Sequence, residues 1–468
     1  MRFPLGAVAL AALVAALNGR CSLSSDLSHA ASSDIIVTAA PSYQSLAALH
    51  GAERFPEGAQ LLLIHNGSAD PLAPQLWASA DANVSFDGQR VLFAGKQSRS
   101  DRWQIWEMTL RGRSLRLLFA GSDDAIRPMY LSSGQFVFAQ RTASGYQLVV
   151  AGAQSSEPFA PIDANAGANL LPLTYLPASA VPDDVLLDGR ILFESFFPLG
   201  SGSTPEEFLV YADGSGVESY RCDHGHPRWG GHQLASGDVI FTHGSSLARF
   251  TSPLAHETPV AAPHGDYAGA IAETPSGEWL VSSRAAANAH YALRLITPGA
   301  ASMRTLLSRS DQDLVEPVPV APRTRPHRHP SGLHPWDYAN MLALDSRLSR
   351  EGDLKAAPAS VRLETLDAQG RVTSNGTAPV EADGSFFVQA PGDRPIRFAL
   401  LDQHGTVVRQ ERGWFWIRGG EQRYCVGCHT GPERASENRV PAVLMRTTTP
   451  FDLTGAKTAT QAPASKGN

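Results

Sequence analysis

From residue 58 to residue 281 the chain alternates short apolar runs with polar turns, and the same turn keeps returning. It reads "FDGQRVLF" around Gly88, "SSGQFVF" around Gly134, "LDGRILF" around Gly189, "ASGDVIF" around Gly237 and "PSGEWLV" around Gly277. A weaker copy, "PEGAQLLLI", surrounds Gly58. Glycine supplies the positive φ of a hairpin turn, and the β-rich run after it suits a strand. From Gly88 to Gly277 the copies recur every 40 to 55 residues or so, the length of a four-stranded blade. Such a blade buries its faces only against its neighbours, and ring closure removes the exposed ends. The pattern predicts an all-β fold with a six-bladed β-propeller over 36–325. The alternative is a β-sandwich with coincidental turns. The step from Gly58 to Gly88 is short, so the first blade is either incomplete or closed by a distant strand.

At Pro322 the pattern changes. "PRTRPHRHPSGLHPWDY" is rich in Pro, His and Arg and reads as a linker, taken as 326–356. A short helix is expected around Tyr338 to Leu348. The stretch "SVRLETLDAQGRVTSNGTAPVEADGSFFVQAPGDRPIRFALLDQHGTVV" then alternates in strand fashion, with a turn about every eight to twelve residues. It predicts a small β-sandwich over 357–424. A short segment, 425–450, follows, and the tail 451–468 is polar and expected to be disordered.

Composition adds limits. The 468 residues carry 41 Gly and 33 Pro, which fits strands and turns better than a helical bundle. The net charge of −6, with no Lys/Arg block, gives nucleic-acid binding no support. The N-terminus resembles an export signal, taken as 1–30. Arg2 precedes the apolar "LGAVALAALVAAL", and Ser28-His29-Ala30 offers a cleavage site. The expected location is periplasmic or secreted. The alternative is a lipid anchor on Cys21, although Asn18-Gly19-Arg20 suits that signal poorly.

Of the four cysteines, Cys222, Cys425 and Cys428 would remain after cleavage, an odd number that argues against a disulfide framework. Cys425-Val-Gly-Cys428-His429 has the spacing of a c-type haem attachment site. Two thiols add to the haem vinyl groups, and the adjacent imidazole lies where it can ligate iron. A zinc knuckle would want a second Cys/His pair nearby, which the tail lacks. A thioredoxin-like redox pair would want a βαβ context. One covalent haem c is therefore expected, on Cys425, Cys428 and His429.

Two resemblances join these parts. "DANVSFDGQRVLFAGKQSRSDRWQIWEM" (Asp81 to Met108) resembles the repeat of TolB-like propellers. A propeller followed by "PVEADGSFFVQAPGDRPIRFALLDQHG" and then "GWFWIRGGEQRYCVGCH" resembles the hydrazine synthase alpha subunit family, most specifically between Val380 and His429. That resemblance implies a c-type haem at the propeller edge and a zinc ion near it, bound partly by a propeller cysteine. Cys222, in "RCDHGHPRWGGH", is the candidate thiol, and His429 would then be shared between iron and zinc. The chain departs from the family in having one haem motif and only the 39 residues 430–468 after it. Glu433 stands where the family's aromatic haem ligand would be. What carries over is the architecture and a haem against a propeller, not hydrazine synthesis itself.

Among the remaining residues, His224, His226 and His232 cluster in sequence with Cys222, and His224 and His226 are weak metal candidates. The plainer reading makes all three polar loop residues. His327, His329 and His334 are either solvated linker residues or sixth ligands to iron, and Met445 is another candidate for that position. His404 reads as a turn residue. Trp414 and Trp416, if on a strand, share a face and either wall the haem or belong to the core of the sandwich. No GxSxG, HExxH, P-loop or strand–GxGxxG–helix motif occurs. Three roles remain open: a haem-dependent oxidoreductase acting on a small substrate, an electron-transfer cytochrome with a redox partner protein, and a partner-binding scaffold without catalysis. A membrane enters only through Cys21.

Overall fold

The computed structural model describes residues 34–66, 68–154, 169–197, 203–221, 223–252, 254–349, 352–367, 369–428 and 438–455. The segment 1–30 expected to be an export signal, with Cys21, and also Cys222, His429 and Glu433 lie outside them.

Each repeat seen in the sequence becomes an antiparallel blade. Blade 2 is Ala78–Val84, Arg90–Lys96, Gln104–Thr109 and Leu115–Phe119, in that order. Blade 3 begins with Ala125–Tyr130, blade 4 with Ala180–Val185 and blade 5 with Arg228–Gln233. In blade 6 the inner edge is two short strands, Asp266–Tyr267 and Ala272–Glu273, both paired with Trp279–Arg284. Blade 1 is built from both ends of the propeller. Asp313–Pro319 pairs antiparallel with Ile35–Ala40, which pairs with Gln60–His65 and then Ser68–Pro71. The first blade is thus closed by a distant strand.

This closure explains the irregular spacing. Gly88, Gly134, Gly189, Gly237 and Gly277 all sit at positive φ in the turn between the first and second strands of their blades. In blade 1 that turn does not exist, because the ring is cut there. Gly58 precedes the third strand and is not an equivalent copy.

Apolar residues from the alternating strands fill the wedges between blades. Leu61 and Leu72 of blade 1 meet Val91 and Phe93 of blade 2. Leu280 and Leu293 of blade 6 meet Val37 and Leu62 of blade 1. Every adjacent pair of blades shares such a cluster. Full burial of each Leu or Phe contributes roughly 1.5–3 kcal/mol, so the ring is held by its wedges.

The second unit is a sandwich of two four-stranded sheets. One orders Gln422–Cys425, Tyr338–Ala343, Phe386–Pro391 and Phe451–Asp452. The other orders Val372–Pro379, Ser360–Leu366, Ile396–Leu401 and Val407–Gln410. Two expectations are corrected. The helix expected around Tyr338 is a strand, because Ala339, Met341 and Ala343 are buried while Tyr338, Asn340 and Leu342 are half-buried, a period of two rather than 3.6. The tail expected to be disordered from 451 begins with an ordered strand, since Phe451 pairs with Val388 and the Leu453 amide donates to the Gln389 carbonyl at 2.9 Å.

The Pro-rich segment is tied to the propeller. The Arg323 amide donates to the Phe86 carbonyl at 3.0 Å and the His327 amide to the Leu187 carbonyl at 2.8 Å. The His329 ring stacks on Tyr211 at 3.8 Å. A Cβ at Gly189 would lie 2.4 Å from the His327 carbonyl oxygen, so this glycine permits the segment to lie on the turn.

Candidate functional site

The strand Gln422–Cys425 runs parallel to Tyr338–Ala343, with Cys425 opposite Ala343. The Leu344 amide donates to the Cys425 carbonyl at 2.9 Å and the Asp345 amide to the Val426 carbonyl at 3.2 Å, so the start of the CxxCH turn is held to the sheet. Cys425 and Cys428 are half-buried and pack against the apolar core of the sandwich. They are free thiols and make no disulfide. Burial pushes both thiols up, and the Glu411 carboxylate adds to the effect.

The segment just before the motif fixes the sandwich to blade 4. A Cβ at Gly413 would lie 2.1 Å from the Phe197 ring, so the two surfaces meet without a side chain between them. Trp416 is fully buried, and its indole N–H donates to the Gly214 carbonyl at 3.1 Å. Its ring sits edge-on to Tyr175 at 6.2 Å. Arg418 reaches the Tyr175 hydroxyl. The Gly216 amide donates to Glu421 at 3.3 Å, and Arg423 donates to the Val217 carbonyl. Trp414 goes elsewhere, with the Arg397 guanidinium 4.7 Å from its ring centroid. The two tryptophans do not share a face, because this stretch is not a strand beyond one bridge at Phe415.

The histidines separate. His224 stacks on Phe197 at 4.1 Å, and its Nδ1 lies 2.6 Å from the buried Glu206 carboxylate. Since Phe197 also meets Gly413, His224 is on the side of blade 4 that faces the sandwich. His226 is exposed and pairs edge-on with His243 at 6.0 Å. His232 bonds Asp184 at 2.9 Å and lines a cavity elsewhere in the propeller. His334 stacks on Trp336 at 4.2 Å. His404 lies in a turn capped by Asp402, and Met445 is 74% exposed. Among the described residues no three His, Cys, Asp or Glu side chains form a metal cage.

Residues 351–430 match the middle domain of the hydrazine synthase alpha subunit. Over that domain the chain resembles the hydrazine synthase alpha subunit. The hydrazine synthase of Kuenenia stuttgartiensis superposes with a TM-score of 0.73 at 16% identity, covering 88% of this chain and 71% of that one. TolB from Acinetobacter baumannii gives a TM-score of 0.44 at 12% identity over 61% of this chain and 66% of its own. No curated protein matches the sequence. The hydrazine synthase likeness therefore shows the fold, and the matched domain ends one residue beyond the motif histidine.

Sequence reasoning found the thiols because the motif is local. It missed the Glu206–His224 pair and the role of Phe197, whose partners come from different strands. The only signal was Glu206 and Glu207 within the otherwise apolar strand Thr204–Val210.

Proposed function

We propose that the chain is an exported monohaem c-type cytochrome in which Cys425 and Cys428 carry the haem and His429 is its adjacent imidazole. The observation that carries this reading is the pair of free thiols, three residues apart, at the edge of an apolar core that Trp416, Glu421 and Arg423 anchor to blade 4. The donor set fits the group. Two thiols in reach of apolar surface suit thioether attachment, and that surface can take up part of a large apolar disc. Bound there, haem would supply one-electron chemistry, which makes the role a redox one. On the side of blade 4 that faces the sandwich, Glu206 holds Nδ1 of His224 and so fixes the ring, while Phe197 packs against its face.

Zinc shared by Cys222 and His429 belongs to the same proposal. Its support is the family resemblance alone. The second reading is electron transfer or partner binding without catalysis. Tyr424, Val440, Met445 and Phe451 favour it, because all are exposed apolar residues in or near the segment carrying the motif. A redox partner protein would dock there.

The test is expression of the full chain with its leader in a host that attaches haem. We expect one haem per chain by pyridine haemochrome, retained through acidified organic solvent, in the periplasmic fraction. C425A/C428A should abolish covalent haem. Haem that extracts from the unmodified protein, or an intact mass equal to the bare polypeptide, would overturn the reading.

A further inference from the structure

A cavity of about 550 Å³ lies on the propeller axis, is lined from all six blades and has no residue of the sandwich in its lining. Inner strands Ala78–Val84, Ala125–Tyr130, Ala180–Val185 and Arg228–Gln233 touch one after another, and Asp313–Pro319 closes against the first. The other end of the axis is filled by Tyr43, Leu49 and Phe55, which belong to the same apolar cluster as Ala78, Ala180 and Ala268. The volume is in the range of small-molecule sites.

The floor is a layer of paired ions. Asp81, Arg127 and Glu316 occupy bulged inner strands at positive φ (62°, 51° and 55°), and Asp183 sits at the corresponding slip in blade 4. Arg54 holds Asp81 at 2.5 Å and also reaches Glu316. Arg127 holds Asp183 at 2.6 Å. Asp183 Oδ2 and Glu207 Oε2 are buried without an N–H or O–H donor from another residue, and a proton shared between them satisfies both. Burial pushes Glu207 and Glu316 up. The floor is closed on itself by the Arg54 and Arg127 pairs.

The mouth differs. Arg323 comes from the segment that crosses the blade rims, is exposed, and lies over the Phe86 ring with its guanidinium 4.4 Å from the centroid. Among the described residues it makes no ion pair. Its side-chain bonds are two long ones, 3.4 Å each, to Asn83 Oδ1 and the Val84 carbonyl. The carboxylate that acts on it, Asp184, is already bonded to His232 at 2.9 Å and to the Gln233 amide at 2.9 Å. Between floor and mouth the apolar part of the wall is Val84, Met129, Val185, Leu234, Ile271 and Val318, beside the Asp184–His232 pair and Glu273, which accepts from the Ala235 amide.

We propose that this axial cavity binds a small organic carboxylate, with its anionic group on the Arg323 guanidinium and its apolar body against those walls. A planar fork that lacks a carboxylate, above an apolar chamber, matches that chemistry. The site is independent of the haem proposal.

The probe is benzoate, titrated calorimetrically into the full chain, with benzamide as the neutral match in shape. Benzoate should bind and benzamide should bind about ten- to a hundredfold more weakly, the ratio of one charge-assisted pair. R323Q should lose the same factor, which separates this cavity from anion binding elsewhere on the chain. Because the benzoate–benzamide comparison uses the unmodified protein, it decides the matter even if R323Q folds poorly. Equal binding of the two probes, unchanged benzoate affinity in R323Q, or uptake of inorganic phosphate or butylammonium in place of benzoate would each overturn the proposal.

Discussion

Among single residues, Trp416 carries more of the junction than any local pattern suggests. It lies on the chain of the sandwich yet is buried in the apolar cluster of the propeller, together with Val210 and Val217. In sequence it looked equivalent to Trp414, two positions away, because a strand would put both on one face. The backbone leaves the strand form there, and that choice depends on Gly413 meeting Phe197, a contact between residues far apart in the chain. The CxxCH thiols were legible because their pattern lies in five consecutive residues. The cluster on blade 4 was not, because Glu206, His224 and Phe197 are brought together only by folding. W416A should cost about 3–5 kcal/mol in urea unfolding, combining lost transfer and a cavity. W416F should cost about 1 kcal/mol, since the packing stays and the Gly214 carbonyl loses its donor. A W416A protein within 1 kcal/mol of the parent would contradict this placement.

At the level of strands and blades, the turn glycines made five blades readable, and the cut in blade 1 explains why the sixth copy was weak. The axial layer was hidden for a different reason. Its members are one or two charges within largely apolar strands, such as Arg127 in "AIRPMY" and Asp183 beside Asp184 in "AVPDDV", and each is meaningless without the others. Glycines make the space. A Cβ on Gly230 would lie 2.4 Å from the Gly269 backbone, and one on Gly231 would lie 2.9 Å from Glu207 Oε1, so blade 5 gives room to the acids of blade 4. Burial first, then the Asp183 charge, pushes Glu194 up to about 8, against the pull of Arg127 and Arg54. The sign follows. The folded state holds this proton more tightly than the unfolded chain, whose value is near 4.5, so the neutral acid costs nothing below pH 4.5. Stability is lost as pH rises from about 4.5 to about 8, at no more than about 1.4 kcal/mol per pH unit for each proton released, and is flat above. E194Q should therefore gain on the parent across that window. A stability difference between the two that does not change with pH would show that Glu194 is ionised in the fold.

For residues 34–468 taken together, the question is whether the sandwich is carried by the linker or by the interface. The composition of "RTRPHRHP" suggested a linker, and a free one would let the thiol-bearing unit swing. The structure gives that segment fixed partners on blades 2 and 4, and gives the sandwich its own hold on blade 4 through Trp416, Arg418, Glu421 and Arg423. These contacts put charged and aromatic groups against carbonyls, in the manner of a stable protein interface rather than a chance collision. The tether then contributes effective concentration but not the geometry. Ser331 and Gly332 are exposed, and a Cβ at Gly332 would meet open space, so a protease site inserted there should be cut without disturbing either unit. After cutting, both fragments should still elute together from a sizing column at micromolar concentration. Adding W416A to the cut protein should separate them, because the tether no longer compensates for the lost anchor. Separation of the cut parent protein, with Trp416 intact, would mean that the linker alone held the thiol-bearing unit near the propeller.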